Sequence, residues 1–278
     1  MTDNTIKTIG VIGLGAMGLP MTRHLLSGGF SVVAYDVNEK AMAAATAEGA
    51  STAASPADVA KQCDLVIVVV GFDSQVIKAV TGEDGLLAGA RPGMIIAVAS
   101  TVSPATMKGL AAADGDGAIH FVDAPLCRGA KAAQDGTLLV MGGGDQAAFE
   151  ICRPAFSTFA DAIFHLGGAG AGQVGKMVNN LLLWASISID IEGLKLGRAL
   201  GVDEEILRQA LLQSSGNNWA LQNKIWEQPM PWAEKDMTIV LKEADDLRIA
   251  LPLSGTVREV IKGIKIELGS PTPAIPKD

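Results

Sequence analysis

A glycine-rich segment near the start of the chain, GLGAMG at residues 13–18, limits the possible folds more than any other feature. An apolar run typical of a strand buried on both faces, Ile6–Ile12, precedes it, and a helical pattern follows it. A second apolar run, Phe30–Tyr35, is followed directly by Asp36. Glycines between a strand and a helix, with an acid after the next strand, are typical of dinucleotide-binding units. The sequence therefore predicts that a Rossmann domain begins here.

The glycines of this segment have separate predicted roles. Gly13 permits the tight turn, Gly15 lets the pyrophosphate approach the backbone, and Gly18 lets the helix pack against the sheet. Asp36 is expected to accept hydrogen bonds from the adenosine ribose and to repel a 2′-phosphate, which favours NAD over NADP. The alternative is that Asp36 only begins the turn Asp36-Val37-Asn38. The predicted cofactor loop consists of Gly13, Leu14, Gly15, Ala16, Met17 and Gly18, at a helix N-terminus.

Strand and helix patterns continue to alternate after Asp36, which predicts a parallel sheet with right-handed crossovers. Ligands of such sheets bind beyond the carboxyl ends of the strands, where Val70 and Thr101 are predicted to contact the cofactor. Ser100 and Thr101 are interpreted as hydroxyl donors near the nicotinamide. An equal interpretation is that Thr101 or Ser103 caps the helix that follows. Further strands are predicted at Asp64–Val70, Met94–Ala99, Ile119–Val122, Thr137–Met141 and Ala162–Leu166, with a turn at Gly142-Gly143-Gly144.

Strand patterns stop before Gln173, and residues from Gln173 to Leu200 have the pattern of one long, largely apolar helix. Shorter helices are predicted at Asp203–Gln213, Asn218–Trp226, Glu234–Ala250 and Ser254–Ile266, and an extended Pro-rich tail at Gly269–Pro276. The predicted fold class is therefore α/β. A Rossmann domain, residues 1–168, is joined by the long helix to an all-helical domain, residues 169–278.

Composition and charge exclude several classes of partner. A chain of 278 residues is long enough for two domains, each with its own core. The net charge is −8, and no block of Lys or Arg is long enough to follow a phosphate backbone, so nucleic acid is not an expected partner. The apolar run at Leu65–Val70 is far shorter than the ~18 residues that cross a bilayer, so no membrane association is expected.

The compartment is predicted from the N-terminus and the cysteines. The first ten residues contain neither the basic nor the apolar region of a signal peptide. Cys63, Cys127 and Cys152 have no close pairing or metal-ligand spacing, which fits a reducing compartment. We therefore predict a cytoplasmic protein. The three histidines, His24, His120 and His165, also have no metal spacing, so no metal is predicted.

Lys176 and Asn180 begin the long helix after the small residues GGAGAG at 167–172. Residues four apart lie on one face of a helix, so the amine and the amide are predicted to point into one cleft. A positioned amine is able to take the proton of a hydroxyl group and to return it to an alkoxide. From the residues alone, a solvated helix lysine is an equal interpretation of Lys176.

Five segments together resemble the β-hydroxyacid dehydrogenases. This group includes 3-hydroxyisobutyrate dehydrogenase, tartronate semialdehyde reductase and the sulfolactaldehyde reductases. The resemblance covers nearly the whole chain, and the segments occur in order and at compatible spacing. They are VIGLGAMGLPM at 11–21, AVASTVSP at 97–104, DAPLCRGAKAAQDGTLLVMGGG at 123–144, GAGQVGKMVNN at 170–180 and WAEKDM at 232–237.

The resemblance implies hydride transfer between a nicotinamide and a small anionic β-hydroxy acid or its semialdehyde. It assigns Lys176 as the catalytic lysine, Asn180 as the residue that orients the substrate, and Lys235 to a position close to the cofactor. It also implies a homodimer or homotetramer in which the long helix contributes to the interface.

The chain departs from the family pattern at the predicted substrate site. Many relatives have V-S-G-G where this chain has Leu126, Cys127, Arg128 and Gly129. Cys127 is a poor hydrogen-bond donor, so Arg128 is predicted to bind a carboxylate, sulfonate or phosphate. The alternative is that Arg128 points to solvent or pairs with an interdomain acid.

Asn218 and Trp219 are a second departure. They are predicted to line the substrate pocket. An equal interpretation is that Trp219 belongs to the core and that Asn217 caps a helix. Three other functions stay open at this point: a sulfonate-bearing semialdehyde reductase, an imine reductase on the same fold, and a dinucleotide-binding protein without turnover. Lys176 argues against the imine reductase, since such enzymes commonly replace that lysine. Lys176, Asn180 and Lys235 together argue against a protein without turnover.

Overall fold

A computed structural model of the protein describes residues 6–115 and 117–273. The chain forms two compact units, Met1–Lys176 and Met177–Asp278. The domain boundary after residue 168 stays a prediction. The predictions for the N-terminus and for the Pro-rich tail fall in part on residues 1–5 and 274–276, which lie outside the described residues. None of the described helices combines the length and the apolar character that crossing a bilayer requires.

The N-terminal unit is a sheet with helices between its strands. The strands are β1 (Thr8–Ile12), β2 (Ser31–Tyr35), β3 (Ser51–Thr52), β4 (Leu65–Val68), β5 (Ile95–Val98), β6 (His120–Asp123), β7 (Leu126–Cys127), β8 (Leu138–Gly144) and β9 (Ala160–His165). The helices are α1 (Gly18–Ser27), α2 (Glu39–Ala47), α3 (Pro56–Ala60), α4 (Asp73–Thr81), α5 (Leu86–Gly89), α6 (Pro104–Ala113), α7 (Gly129–Asp135) and α8 (Gln146–Phe156).

Among the described residues the strands follow the order β3-β2-β1-β4-β5-β6-β8-β7, and β9 pairs with β8. All pairs from β3 to β6 are parallel. Strand β8 is antiparallel to β6 and to β7, and parallel to β9. This arrangement confirms the predicted α/β class and places the carboxyl ends of β1, β4, β5 and β6 along one edge.

The sheet is buried on both faces, which explains why its strands are continuous apolar runs. Successive residues of a strand point to opposite faces. In β4, Leu65 and Ile67 belong to one hydrophobic cluster, and Val66 and Val68 to the other. Strand β5 alternates in the same way. The core of the N-terminal unit therefore consists of two layers, one on each side of the sheet.

The prediction of a turn at Gly142-Gly143-Gly144 is wrong, because these glycines are the last residues of β8. Gly143 pairs with Asp123 of β6. A Cβ atom on Gly142 would lie 1.9 Å from the ring of Phe149, and one on Gly143 would lie 2.6 Å from Asp123 Oδ1. Close packing, and not a reversal of the chain, therefore excludes side chains here.

The C-terminal unit is helical. Helix α9 (Ala171–Ala199) begins in the N-terminal unit and continues into this one. It is followed by α10 (Glu204–Leu212), α11 (Trp219–Asn223), a 3-10 turn at Ile225–Glu227, α12 (Ala233–Asp246) and α13 (Pro252–Glu267). Trp184 and Ile187 of α9 share a buried cluster with Met237 of α12 and Ile261 of α13. The long helix and the four later helices are present as predicted, but α11 ends at Asn223 and not at Trp226, and α12 ends at Asp246 and not at Ala250.

Candidate active site

The loop between β1 and α1 has the shape that a pyrophosphate requires. Gly13 has a φ of +96°, and a Cβ atom there would lie 2.5 Å from the carbonyl oxygen of Val69. A Cβ atom on Gly18 would lie 1.9 Å from the carbonyl oxygen of Gly13. Gly15 is exposed, and no atom lies within 4 Å of its ideal Cβ position. Two glycines thus close the turn, and the third leaves room for phosphate oxygens at the start of α1.

Asp36 follows β2 and holds this loop. Its Oδ2 accepts a hydrogen bond from the Leu14 amide at 2.7 Å, and its Oδ1 accepts one from the Asn38 amide at 2.8 Å. The carboxylate therefore takes part in the turn at residues 36–38 and also contacts the glycine loop. Two carboxylate oxygens accept about four hydrogen bonds, so capacity remains for ribose hydroxyls. The loop and Asp36 together fit an NAD(P) cofactor.

The ends of β4 and β5 are tied together by Ser100. Its buried hydroxyl accepts a hydrogen bond from the Val70 amide at 2.8 Å. Ser103 caps α6, since its hydroxyl accepts a hydrogen bond from the Thr106 amide at 3.0 Å. The cap interpretation thus holds for Ser103. Contact of Val70 and Thr101 with the cofactor stays a prediction.

Two side chains that the sequence analysis did not select fix the first turn of α9 to the sheet. Asp123, at the end of β6, accepts hydrogen bonds from the amides of Gly170 at 2.9 Å and Gln173 at 3.0 Å. Gln173 donates to the Ser100 carbonyl at 2.9 Å and accepts from the Val102 amide at 3.1 Å. Both side chains are fully buried. Burial raises the pKa of Asp123, and the amide hydrogen bonds act in the opposite direction.

Lys176 lies one turn after this attached segment, on α9. It is half-buried, and its amine forms no hydrogen bond or ion pair within the described part of the N-terminal unit. Asn180 follows one turn later on the same helix and is buried. Both residues therefore lie on α9 at the predicted spacing of four. That the amine and the amide point into one cleft stays a prediction.

Asn180 is held by polar neighbours in the C-terminal unit. Its Nδ2 donates to Asp236 Oδ2 at 2.8 Å, and its Oδ1 accepts from Asn179 Nδ2 at 3.0 Å. Lys235 Nζ lies 3.5 Å from Asp236 Oδ1 and 5.7 Å from the centre of the Trp232 ring. Asp236 thus links two of the predicted site residues, Asn180 and Lys235.

The predicted substrate loop lies at the start of α7. Cys127 is buried, and Arg128 and Gly129 both have positive φ, 82° and 78°. The Nη1 group of Arg128 donates to the Thr137 carbonyl at 2.8 Å and to the carboxylate of Asp161. Its Nε and Nη2 form no hydrogen bond within the described part of the unit. One edge of the guanidinium is therefore engaged by an acid of the same unit, and substrate binding by the other edge stays a prediction.

Asn218 and Trp219 begin α11. The side-chain oxygen of Asn218 caps this helix by accepting from the Leu221 amide at 2.9 Å, and its Nδ2 donates to Asp190 Oδ1 at 2.8 Å. The cap is thus Asn218 and not Asn217. Trp219 is 43% exposed and is not a core residue. Burial raises the pKa of Asp190, against the effect of the Asn218 hydrogen bond.

A buried ammonium group in the C-terminal unit was also missed. Lys265 of α13 is 2% exposed. It donates to Glu234 Oε2 at 2.7 Å, to Thr272 Oγ1 at 2.9 Å and to the Pro231 carbonyl at 3.3 Å. The hydrogen bond from Lys265 lowers the pKa of Glu234. These contacts fix the segment before Lys235 and Asp236.

Two family models cover most of the chain. Residues 8–167 match the NAD-binding domain of 6-phosphogluconate dehydrogenase. Residues 170–272 match the model described as NAD-binding of NADP-dependent 3-hydroxyisobutyrate dehydrogenase.

Similar proteins agree with these matches. The chain is 32% identical to 2-(hydroxymethyl)glutarate dehydrogenase of Eubacterium barkeri, over 94% of this chain and 90% of that protein. It is 38% identical to NAD-dependent L-serine dehydrogenase of Pseudomonas aeruginosa, over 78% and 73% of the two chains. A solved structure of 3-hydroxyisobutyrate dehydrogenase from Mycobacterium tuberculosis with L-serine matches with a TM-score of 0.87 and 26% identity, over 96% and 97%.

The matches confirm the predicted family and the predicted class of enzyme. The chain belongs to the β-hydroxyacid dehydrogenase family, and it is an NAD(P)-dependent hydroxyacid dehydrogenase that acts on a CH–OH group.

Proposed function

We propose that the protein moves a hydride between NAD and the hydroxymethyl carbon of a small 3-hydroxy acid, with Lys176 as the proton carrier. The observation that carries this proposal is the position of Lys176. It lies one turn after a helix start that is hydrogen-bonded to the ends of β5 and β6. Dinucleotides bind at this edge in parallel sheets.

The proton chemistry follows from the reaction. NAD, when bound, supplies the hydride acceptor for oxidation. Loss of hydride from a carbinol carbon requires that the hydroxyl also lose its proton, which a neutral Lys176 amine would accept. In the reverse direction the ammonium form would return the proton to the developing alkoxide. Asn180 would orient the reacting oxygen, because its side chain is fixed by Asp236 and Asn179.

The names of the relatives suggest the substrate class. L-Serine, 3-hydroxyisobutyrate and 2-(hydroxymethyl)glutarate are all 3-hydroxypropanoates with one further group on carbon 2. We propose that this chain also takes a 2-substituted 3-hydroxypropanoate or its semialdehyde. The free Nε and Nη2 edge of Arg128 would bind an anionic group of it. Cys127, Gly129, Asn218 and Trp219 would line the site.

The test of the mechanism is Lys176→Met, with Lys195→Met as a matched control, because Lys195 is an exposed lysine of the same helix. The three acids are assayed with NAD+ and NADP+. We expect kcat of the Lys176 variant to fall by about 10³-fold with unchanged NAD binding, and the control to be normal. A folded Lys176 variant with nearly normal turnover would contradict the proposed role of Lys176 as the proton carrier.

The substrate site is tested by Arg128→Gly, since glycine adopts positive φ without strain. KM for the anionic acids should rise by about tenfold, while NAD affinity stays constant. Equal KM values would exclude Arg128 from substrate binding.

We propose NAD over NADP because the fixed Asp36 carboxylate would repel a 2′-phosphate. The relatives do not decide between the two cofactors, since their names include both. Asp36→Asn should shift the ratio of kcat/KM for NAD+ and NADP+ toward NADP+ by about tenfold, the effect of ~1.4 kcal/mol. An unchanged ratio would contradict this assignment.

We further propose a cytoplasmic homodimer or homotetramer. Val178, Leu182, Ile189 and Leu196 of α9 are exposed, and their spacing places them on one face of the helix. Cys63 and Cys152 are buried free thiols, which fits a reducing compartment. Light scattering of the wild type and of Leu182→Glu tests the assembly; a monomeric wild type would refute it.

A further inference from the structure

The start of α9 has no capping side chain of its own. Gly170 occupies the cap position, because its carbonyl accepts the first helical hydrogen bond, from Val174 at 3.0 Å. Its φ is +88°, whereas capping residues are normally extended. Six other described helices are capped by the side chain directly before them, from Asn38, Ser55, Ser103, Asp145, Asp203 and Asn218.

Asp123 supplies the missing cap from the sheet. One oxygen binds the Gly170 amide and the other binds the Gln173 amide, so the carboxylate spans the first turn. The space around it admits no further side chain. A Cβ atom on Gly172 would lie 2.6 Å from Asp123 Oδ2, and one on Gly143 would lie 2.6 Å from Oδ1. The first turn of α9 is therefore held by a closely fitted, fully buried group.

Gln173 adds a second attachment. It is fully buried, and it bonds with its side chain to the backbone of Ser100 and Val102, after β5. The first turn is thus attached at the ends of two neighbouring strands, β5 and β6. Lys176 follows three residues later, a rise of ~4.5 Å along the helix. Any rotation or shift of the first turn would move the Lys176 amine with it.

We propose that Asp123 is a positioning residue that sets the location of the Lys176 amine through the first turn of α9. The inference rests on the proposed role of Lys176. Asp123 does not contact substrate or cofactor in this account. Its carboxylate fixes the helix start, and the helix start fixes the amine. Proton transfer requires placement within hydrogen-bond reach, and a misplacement of ~1 Å costs about 10²-fold in rate.

The first test is Asp123→Asn. Asparagine has the same shape, but its NH2 group would face one of the two amides, so that only one hydrogen bond to the turn remains. With NAD+ and whichever of the three acids reacts best, kcat should fall about 10- to 100-fold. KM and the Kd for NAD+ should change by less than about threefold. Asp203→Asn is the control, because this exposed acid caps α10 and its removal should leave kcat unchanged.

The second test displaces the turn without removing any polar group. In Gly172→Ala the new methyl group would lie 2.4 Å from the Met141 carbonyl oxygen and 2.6 Å from Asp123, so the turn must shift. We expect the same loss of kcat as in Asp123→Asn. Gly109→Ala is the control, since this exposed glycine of α6 has open space around its Cβ position. If Asp123→Asn does not fold, Gly172→Ala decides.

Hydrogen exchange provides a readout that needs no turnover. The amides of residues 170–176 should exchange about tenfold faster in Asp123→Asn and in Gly172→Ala, and not in the controls, a loss of ~1.4 kcal/mol of local stability. Unchanged exchange, or wild-type kcat in folded variants, would overturn the proposal. Should Lys176→Met remain active, the proposed function fails, while the exchange data still report whether Asp123 fixes the helix.

Discussion

Asp123 in the N-terminal unit and Lys265 in the C-terminal unit are both buried charged residues, and the two units satisfy them differently. Asp123 accepts hydrogen bonds from backbone amides, and no Lys, Arg or His among the described residues forms an ion pair with it. Lys265 has an opposite charge, Glu234, and two neutral oxygen acceptors. A helix start is fixed in both places, once by dipoles and once by an ion pair.

The difference determines what each region tolerates. Burial of a carboxylate without a cation disfavours its charged form. Replacing it by an uncharged side chain of equal shape therefore costs little electrostatic energy, and the main effect is the loss of hydrogen-bond geometry. A buried ammonium that loses its anion is left uncompensated, which costs more than the loss of one hydrogen bond. We therefore expect substitutions at Asp123 to affect mainly the position of α9, and substitutions at Glu234 to affect mainly stability.

Glu234→Gln should give the largest stability effect, because it removes the only anion that contacts Lys265 among the described residues. We expect the free energy of unfolding of the C-terminal unit to fall by about 3 kcal/mol. Urea unfolding followed by tryptophan fluorescence measures it selectively, since the four tryptophans are residues 184, 219, 226 and 232.

The double variant Glu234→Gln with Lys265→Met checks the cause. Removing both charges should restore most of the stability that the single variant loses. Glu204→Gln, which breaks an exposed ion pair with Arg198, is the control and should cost less than about 1 kcal/mol. A double variant no more stable than Glu234→Gln would show that charge is not what distinguishes the two regions.

Much of the fold could be predicted from local patterns. The glycine loop, the apolar strands and the long α9 are specified by residues close together in sequence. The strand at Gly142–Gly144 could not be predicted, because it depends on Phe149 and on Asp123 across the sheet. Three glycines in a row otherwise indicate a turn.

The candidate site was predictable only in part, for the same reason. Lys176 and Asn180 were found from their helical spacing, whereas Asp123 acts on amides 47 and 50 residues away. Lys265 did leave a signal: it continues the buried positions Ser254, Val257 and Ile261 at helical spacing. A lysine on an apolar face predicts a buried ammonium, but its partner Glu234 required the structure.

The pH dependence of stability should have opposite sign in the two regions. The pKa of Asp123 is raised from 3.8, so its contribution to stability is largest at low pH and falls as pH rises above that value. The pKa of Glu234 is lowered from 4.5, so its contribution is present above 4.5 and is lost as pH falls.

Unfolding of two variants between about pH 3 and pH 7 measures this contrast, because the Glu234 effect lies below 4.5 and the Asp123 effect above 3.8. Circular dichroism should show that the stability of Asp123→Asn relative to wild type improves as pH rises. Tryptophan fluorescence should show that the loss of unfolding free energy in Glu234→Gln, relative to wild type, becomes smaller as pH falls. Parallel pH responses would mean that both regions are governed by the same kind of interaction.

The smallest effect is expected from Thr272→Val, which removes a neutral partner and leaves the ion pair. The Thr272 hydroxyl accepts from Lys265 and donates to Glu234 at 2.8 Å. Its loss should cost about 1 kcal/mol by urea unfolding, and Thr272→Ser should cost less because the hydroxyl remains. If Thr272→Val cost as much as Glu234→Gln, neutral hydrogen bonds would stabilise Lys265 as they do Asp123. The two regions would then differ in the sign of the buried charge and not in the kind of interaction that stabilises it.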